Sequence, residues 1–374
     1  MRELDAPAGT TGIITIDLAR IARNWRALAD LVAPAECAAV VKADAYGLGL
    51  DKVAPVLSAA GCGTFFVATV AEAEQCRRLV PGAVLYVLDG LLPGSAARLL
   101  ACRGRPVLSS LAEIEAWVGA GDASSPAPIG LHIDTGLNRL GMSAAEIQAL
   151  VRDMHLIDRL EVSLVMSHLA CADEPESVKN RQQREIFDGL RPLLPMAPSS
   201  LAASDGLMLG REYHYDLVRP GYALYGGQAT AGRAAPVAPV VAAHARILQV
   251  HEVATGQTIG YAATYRVERP RRIATIAAGY ADGVFRHASA ATGASGGAVA
   301  IAGELCPIVG RVSMDLTTVD VSELPVPPAV GDWAELIGAT LSLEEVGRRA
   351  GTIGYEVLTR LGSRFHRVYL GSEA

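Results

Sequence analysis

The chain has 374 residues, 51% of them apolar and 19% charged, with a formal net charge of -6. A disordered chain would be poor in apolar residues and rich in charge, so that class is excluded. The mild acidity argues against nucleic acid as the main partner, and the length fits two domains, or a large barrel with a smaller companion.

The first clear helix follows Asp17, a good N-cap. Leu18, Ile21, Trp25, Leu28 and Val32 step by three and four residues and so form one apolar helical face. Eight short apolar runs then alternate with helical stretches: Ala38 to Val41, Phe65 to Thr69, Val84 to Leu88, Pro106 to Ser109, Ile129 to Asp134, Val162 to Ser167, Ser200 to Ala203 and Tyr215 to Arg219. The helical stretches between them include 50–59, 71–79, 111–118, 144–151 and 177–190. Strands buried on both faces read as continuous apolar runs, and strand–helix alternation predicts a parallel sheet. Eight units predict an α/β fold with an N-terminal (β/α)8 TIM-like barrel over residues 12–236.

The texture changes after Pro236 and Pro239. Alternating stretches such as 245–250 and 272–276, broken by turn clusters at 292–297 and 326–328, predict a C-terminal mainly-β domain over residues 237–374. One helix is expected inside it, 343–349, with Ser342 as N-cap and Glu345 three residues on. The basic run Arg269-Pro270-Arg271-Arg272 reads as a solvated strand flank.

Six cysteines, at 37, 62, 76, 102, 171 and 306, form no CxxC pair. Buried thiols in a reducing compartment are expected, without a disulfide framework or a metal site. Neither a secretory leader nor an apolar run long enough to span a membrane is visible, so a soluble cytoplasmic protein is expected.

In a parallel barrel the chemistry sits at the C-terminal ends of the strands. The first strand ends in Lys42; a lysine against apolar surface loses proton affinity and becomes a nucleophilic amine. The fifth ends in a loop whose Gly136 and Gly141 aim Arg139 back over the barrel mouth. The sixth ends in His168, the seventh in Ser204 before a short helical piece, and the eighth in Arg219 before Pro220 and Gly221. Each residue alone has an ordinary structural explanation. Together, an activated amine, several cations and an anion cradle at the seventh and eighth strand ends fit an anionic aldehyde cofactor, pyridoxal 5'-phosphate.

The segment Val41-Lys42-Ala43-Asp44-Ala45-Tyr46-Gly47-Leu48-Gly49 resembles the cofactor-attachment segment of alanine racemases. The resemblance continues in order through Asp134-Thr135-Gly136, Arg139-Leu140-Gly141, Ser167-His168, 278–283, 310–315 and Gly354-Tyr355-Glu356. It implies an isomerase that interconverts L-alanine and D-alanine by two-base proton transfer, with Lys42 as Schiff-base lysine and one acid/base. Tyr261 matches the second base, supplied by the C-terminal domain of the partner subunit in a homodimer with shared active sites. Tyr46, Ser204, Gly221, Tyr222 and Tyr355 match phosphate-binding positions, Arg219 faces the pyridine nitrogen, and His168 sits beside the ring and supports Arg219. Arg139 matches an arginine near the ring hydroxyl and the substrate carboxylate, and Met314 a position whose backbone meets that carboxylate. Asp173, Tyr280, Arg286, Arg311 and Ile353 match the substrate entryway. The implied partners are a small amino-acid substrate and a second copy, with neither nucleic acid nor membrane, and the product would serve peptidoglycan precursors or D-alanine catabolism.

Two positions depart from the family pattern. His132 stands where many members carry a carbamylated lysine beside the arginine matched by Arg139, and Ala203 precedes Ser204 where many have Asn. A racemase of another or broader range, such as serine, stays open. A barrel-type amino-acid decarboxylase is argued against by Tyr261 and the 310–315 segment. A non-catalytic cofactor carrier would need no second base.

Overall fold

The computed structural model describes residues 6–121, 126–228 and 230–371. The chain divides into two compact units, 19–238 and 1–18 with 239–374.

In the first unit the helix Leu18–Val32 leads into the first barrel strand. Of its apolar stripe, Ile21 and Leu28 are fully buried and Trp25 donates its indole N–H to the Cys37 carbonyl at 3.1 Å. The first strand serves two neighbours: Glu36–Cys37 pairs in parallel with Leu217–Val218, and Ala39–Val40 pairs in parallel with Thr64–Val67. From there the parallel order runs through Val84–Val87, Gly104–Leu108, Pro128–His132, Glu161–Met166 and Ser199–Ser200. A parallel bridge between Ala203 and Arg219, with Arg219 N–H donating to the Ala202 carbonyl at 2.9 Å, joins the seventh strand to the eighth and closes the ring. All eight expected strands are present. Connecting helices start where the sequence supplies caps: Thr69 and Ser143 each form a reciprocal capping box with a glutamate three residues on.

The second unit is mainly β, with a sheet ordered Glu304–Pro307, Ala298–Ile301, Trp333–Ile337, Val241–Val253, Gly12–Asp17 and His366–Leu370. The long strand Val241–Val253 alternates buried and half-buried residues over its first half, as a sheet covered unequally on its two faces requires. Its register shifts between Ile247 and Gln249, and beyond that irregularity it pairs with Arg271–Ile276, which in turn pairs with Thr317–Asp320. A bulge bends a strand and re-aims it, which lets one strand serve two groups of partners.

Two expectations are corrected here. Residues 12–17 were expected with the barrel; they pair antiparallel with 241–245 and parallel with 366–370, in the second unit. Their near-continuous burial is that of a central strand, and its partners lie at the far end of the chain. Besides the expected helix Leu343–Arg349, capped by Ser342, a second short helix, Gly354–Thr359, interrupts the β-structure. The Arg269–Arg272 flank is ion-paired: Arg269 and Arg271 both reach Glu323, at 2.8 and 3.2 Å. Five of the six cysteines are buried and all are free thiols. Among the described residues no helix is long and apolar enough to cross a membrane.

Leu28 of the helix Leu18–Val32 is fully buried. Replacing it by Ala is expected to remove about 3 kcal/mol of stability, read as a lower urea midpoint, because transfer and cavity costs add.

Candidate active site

Lys42 follows the first barrel strand and is half-buried. The four residues after it, Ala43, Asp44, Ala45 and Tyr46, lie at φ 52, 54, 53 and 57°. They form a left-handed turn, which is rare for L-residues because each Cβ crowds the following carbonyl. Hydrogen bonds hold this turn from several sides. Ala43 N–H donates to Glu72 Oε1 at 2.7 Å, Ala45 N–H to the Val41 carbonyl at 2.9 Å, and Leu50 N–H to Asp44 Oδ1 at 2.7 Å. Tyr46 is buried, its ring 5.0 Å from that of Tyr225. Burial and the Arg139 guanidinium hold the Lys42 amine below the ordinary lysine range, while the carboxylates of Glu72 and Asp89 act in the opposite direction.

Arg139 is exposed on the loop after the fifth strand. Asp134 Oδ1 shapes that loop by accepting from three successive amides, Gly136, Leu137 and Asn138, at 2.9, 3.1 and 3.1 Å. Gly141 lies at φ 118°, and a Cβ there would stand 2.5 Å from Asp134 N, so the return of the loop requires glycine.

Arg219 is buried at the eighth strand end. Its Nη2 donates to the carbonyls of Ser167 and Leu201, at 2.7 and 3.3 Å, and lies 3.5 Å from His168 Nδ1; its Nη1 donates to the Ser200 hydroxyl. Burial lowers its pKa to about 9, which still leaves a cation at neutral pH. Burial, and then the charge of Arg219, push His168 down to about 3 and His132 to about 4, so both imidazoles are neutral. His132 is buried with Nδ1 3.4 Å from the Ser109 hydroxyl.

Ser204 stands at the start of the turn Asp205–Met208 but does not cap it. Its Oγ instead accepts from the N–H groups of Gly221 and Ala223, at 3.0 and 3.1 Å. Two backbone donors thus converge on one oxygen at the seventh and eighth strand ends. A Cβ on Gly221 would collide with the Tyr46 hydroxyl, so only glycine admits this approach. Tyr222 is fully buried beside it. Asp173 lies apart from this group, exposed further along the loop after the sixth strand, its carbonyl accepting from Ala231 N–H at 2.9 Å.

In the second unit Tyr261 is 70% exposed on the turn Tyr261–Ala263. Gly260 before it lies at φ 77°, where a Cβ would stand 2.9 Å from Arg311 N, so the Tyr261 turn packs closely on the Arg311 segment. Tyr280 N–H donates to the Ser313 carbonyl and Ala281 N–H to the Met314 carbonyl, both at 3.0 Å. The Ser289 hydroxyl donates to the Arg286 carbonyl at 2.6 Å and accepts from Val312 N–H at 2.9 Å. Tyr261, Tyr280, Arg286, Arg311 and Met314 therefore sit on adjoining loops. Ile353 and Tyr355 open the separate helix Gly354–Thr359.

Sequence reasoning singled out neither Glu72 nor Arg364. The Thr69-to-Glu72 capping-box spacing was a usable signal for Glu72. Arg364 donates to buried Asp282 through Nε and Nη2, at 2.8 and 2.7 Å, and to Asp315 through Nη1 at 2.6 Å; no local pattern announces it.

A closed parallel barrel with a lysine of lowered proton affinity, a buried arginine and converging amides at its strand C-termini defines a barrel enzyme equipped for an anionic ligand. The family described as "Alanine racemase, N-terminal domain" matches residues 16–229, and "Alanine racemase, C-terminal domain" matches residues 240–369. The chain is 48% identical to an alanine racemase of Methylobacterium nodulans over 96% of this chain and 95% of that protein. It is 45% identical to a catabolic alanine racemase of Mesorhizobium japonicum over 98% of this chain and 95% of that protein. The crystal structure of alanine racemase from Bartonella henselae, with covalently bound pyridoxal phosphate, superposes with a TM-score of 0.92 at 38% identity, covering 97% of this chain and all (100%) of that one. The biosynthetic alanine racemase of Pseudomonas aeruginosa gives a TM-score of 0.89 at 35% identity, covering 96% and 99%. The chain belongs to the alanine racemase family.

The two depressed histidines set a pH dependence. Between pH 6.5 and about 4 the unfolded chain takes up protons on them that the folded chain refuses, so stability falls as pH falls through that window. Replacing His132 by Asn is expected to flatten this loss by up to about 1.4 kcal/mol per pH unit, checked by urea unfolding at several pH values.

Proposed function

We propose that this chain is an alanine racemase: it interconverts L-alanine and D-alanine with pyridoxal 5'-phosphate held at Lys42, and works as a homodimer in which Tyr261 of a second copy completes each site. The observation that carries the reading is the juxtaposition, at the barrel's strand ends, of the depressed Lys42 amine with the Gly221 and Ala223 amides converging at Ser204. The residues fit the cofactor. The Gly221 and Ala223 amides, which donate to Ser204 Oγ, would turn to a phosphate oxygen there, and the missing Cβ at Gly221 keeps that backbone close to Tyr46. Tyr46 and Tyr222 flank that cradle, and Tyr355 is assigned to the phosphate as well.

When bound at Lys42, pyridoxal 5'-phosphate would supply a conjugated electron-withdrawing system that acidifies the Cα proton of the substrate. Lys42 Nζ takes or returns that proton on one face; burial and Arg139 keep a larger fraction of the amine unprotonated than an exposed lysine would have. Tyr261 Oη serves the opposite face, and inversion requires this second group because one base returns the proton where it took it. Arg219 has donors and no acceptor and stays a cation, so it would donate a hydrogen bond to the cofactor's ring nitrogen and disfavour its protonation. His168, kept neutral, holds its place against Arg219 without adding like charge. Arg139 and the Met314 backbone are assigned to the substrate carboxylate, and Asp173, Tyr280, Arg286, Arg311 and Ile353 to the entryway. The reaction belongs in the cytoplasm, where amino-acid substrate is supplied.

Purified protein with pyridoxal 5'-phosphate is expected to convert L-alanine to D-alanine, read by chiral chromatography. Lys42→Ala should abolish the conversion and the yellow cofactor absorbance, and Tyr261→Phe should lower kcat by 10²-fold or more, on the order expected for a lost acid/base. A cofactor-loaded protein that leaves L-alanine unchanged would remove alanine as the substrate, and a fully active monomer at high dilution would remove the shared site.

A further inference from the structure

We propose that Glu72 is a positioning residue for Lys42: its carboxylate, reaching from the helix after the second barrel strand, anchors the left-handed turn that carries the lysine. Glu72 is the third residue of the helix Val70–Leu79. Its Oε2 accepts from Thr69 N–H at 3.2 Å, as any capping box provides, and also from Ala68 N–H at 2.7 Å. Its Oε1 is not used by the cap. It accepts from Ala43 N–H at 2.7 Å, the amide directly after Lys42.

That bond supplies what the turn lacks. The turn's own backbone bond runs from Ala45 N–H to the Val41 carbonyl, and within a first turn the leading amides have no internal acceptor. A carboxylate accepting from backbone N–H groups forms charge-assisted bonds, stronger than neutral ones. One side chain therefore ties the ends of the first two barrel strands together at the reactive amine. The barrel uses the same device once more: Glu113, third in the helix Leu111–Ala120, accepts from Ser109 N–H at 2.6 Å and from Leu91 N–H at 3.1 Å. Glu113 ties the end of the fourth strand to the loop after the third. Glu72 alone of the two holds the lysine's own turn.

Glu72 also contributes charge. The charged groups that act on the Lys42 amine are Arg139 from the fifth loop, Glu72 from the second helix and Asp89 from the third loop; His168, on which the Lys42 charge acts in turn, stays neutral. Removing the Glu72 charge leaves Arg139 opposed by Asp89 alone.

This inference rests on the reading of Lys42 as the cofactor lysine, and the experiment separates the two. Deuterium exchange of peptides covering 43–48 is measured on the cofactor-free full chain. The pH dependence of covalent capture by pyridoxal 5'-phosphate and borohydride is measured in parallel, with the modified lysine identified by peptide mass. Glu72→Gln is expected to speed exchange over 43–46 by about tenfold or more and to move the capture midpoint to lower pH by roughly half a unit. Glu72→Asp keeps the charge but is one methylene shorter; it should exchange as fast as Glu72→Gln while its midpoint stays near that of the parent. Thr69→Ala, which loses only the helix cap, should leave both readouts at parental values. The proposal is overturned if Glu72→Gln changes neither readout, or if Thr69→Ala reproduces its effects. Capture at Lys52 or Lys179 instead of Lys42 would refute the cofactor assignment, and the exchange measurement would still decide whether Glu72 anchors the turn.

Discussion

Four consecutive L-residues held at positive φ are the constraint on which the barrel mouth depends. Each costs about 1–2 kcal/mol relative to the right-handed region, so an isolated Lys-Ala-Asp-Ala-Tyr segment would not adopt this turn. It persists because the surroundings over-determine it. Glu72 takes the Ala43 amide, Asp44 takes the amide of Leu50 with its side chain and that of Gly49 with its carbonyl, and Tyr46 is buried against Tyr225. The gain from this arrangement is placement. A right-handed helix starting at Lys42 would carry the chain away along a different path. The left-handed turn packs Tyr46 under Gly221, so the lysine's strand end and the Ser204–Gly221 cradle are fixed to one another.

The electrostatics follow from the same crowding. Among the described residues the hydrogen-bond partners of buried Arg219 are all neutral: two carbonyls and His168 Nδ1 at Nη2, and the Ser200 hydroxyl at Nη1. Its charge is solvated by dipoles and not cancelled by a carboxylate, so its field acts on whatever stands nearby. His168 and His132 respond by staying neutral. At position 132 this gives a physical consequence of the departure from the family pattern. A carbamylated lysine would bring an anion toward the arginine matched by Arg139, whereas a neutral imidazole near Ser109 brings none. Arg139 is, after burial, the main influence lowering the Lys42 amine, where it favours the unprotonated form.

Most of the barrel was legible because strands buried on both faces leave uninterrupted apolar runs, and because the connecting helices carry their own caps at Thr69, Ser110 and Ser143. The strand-end positions of Lys42, Arg139, His168, Ser204 and Arg219 were legible for the same reason: once the strands are placed, their ends are placed. Residues 12–17 were assigned to the wrong unit because a six-residue apolar strand carries no mark of its partners, which lie at the opposite end of the chain. The helix Gly354–Thr359 is too short to show periodicity. The left-handed turn was invisible because Ala43, Ala45 and Tyr46 have no preference for positive φ; only the tertiary contacts impose it. Ser204 is a residue type suited to capping the short turn it precedes, but its hydroxyl accepts from two amides at the neighbouring strand end, which sequence proximity does not reveal.

The second unit solves a different problem, that of presenting side chains on loops without letting them move. Tyr280 and Met314 sit on two loops joined by paired backbone bonds, and a Cβ at Gly279 would collide with the Met314 carbonyl, so the loops touch at their backbones. Arg364 then binds Asp282 from one loop and Asp315 from the other with a single guanidinium. A planar fork is suited to this because its donors are fixed relative to one another. The result is a firm base under exposed groups: Tyr261, Tyr280, Met314 and Leu316 all remain substantially solvent-accessible. Exposed apolar and aromatic side chains on a rigid frame lose little conformational entropy when a surface covers them. That property suits the proposed role of these loops in completing the site of a second copy, in which the proton-transfer geometry assigned to Tyr261 would depend on how two chains dock and little on how either loop rearranges.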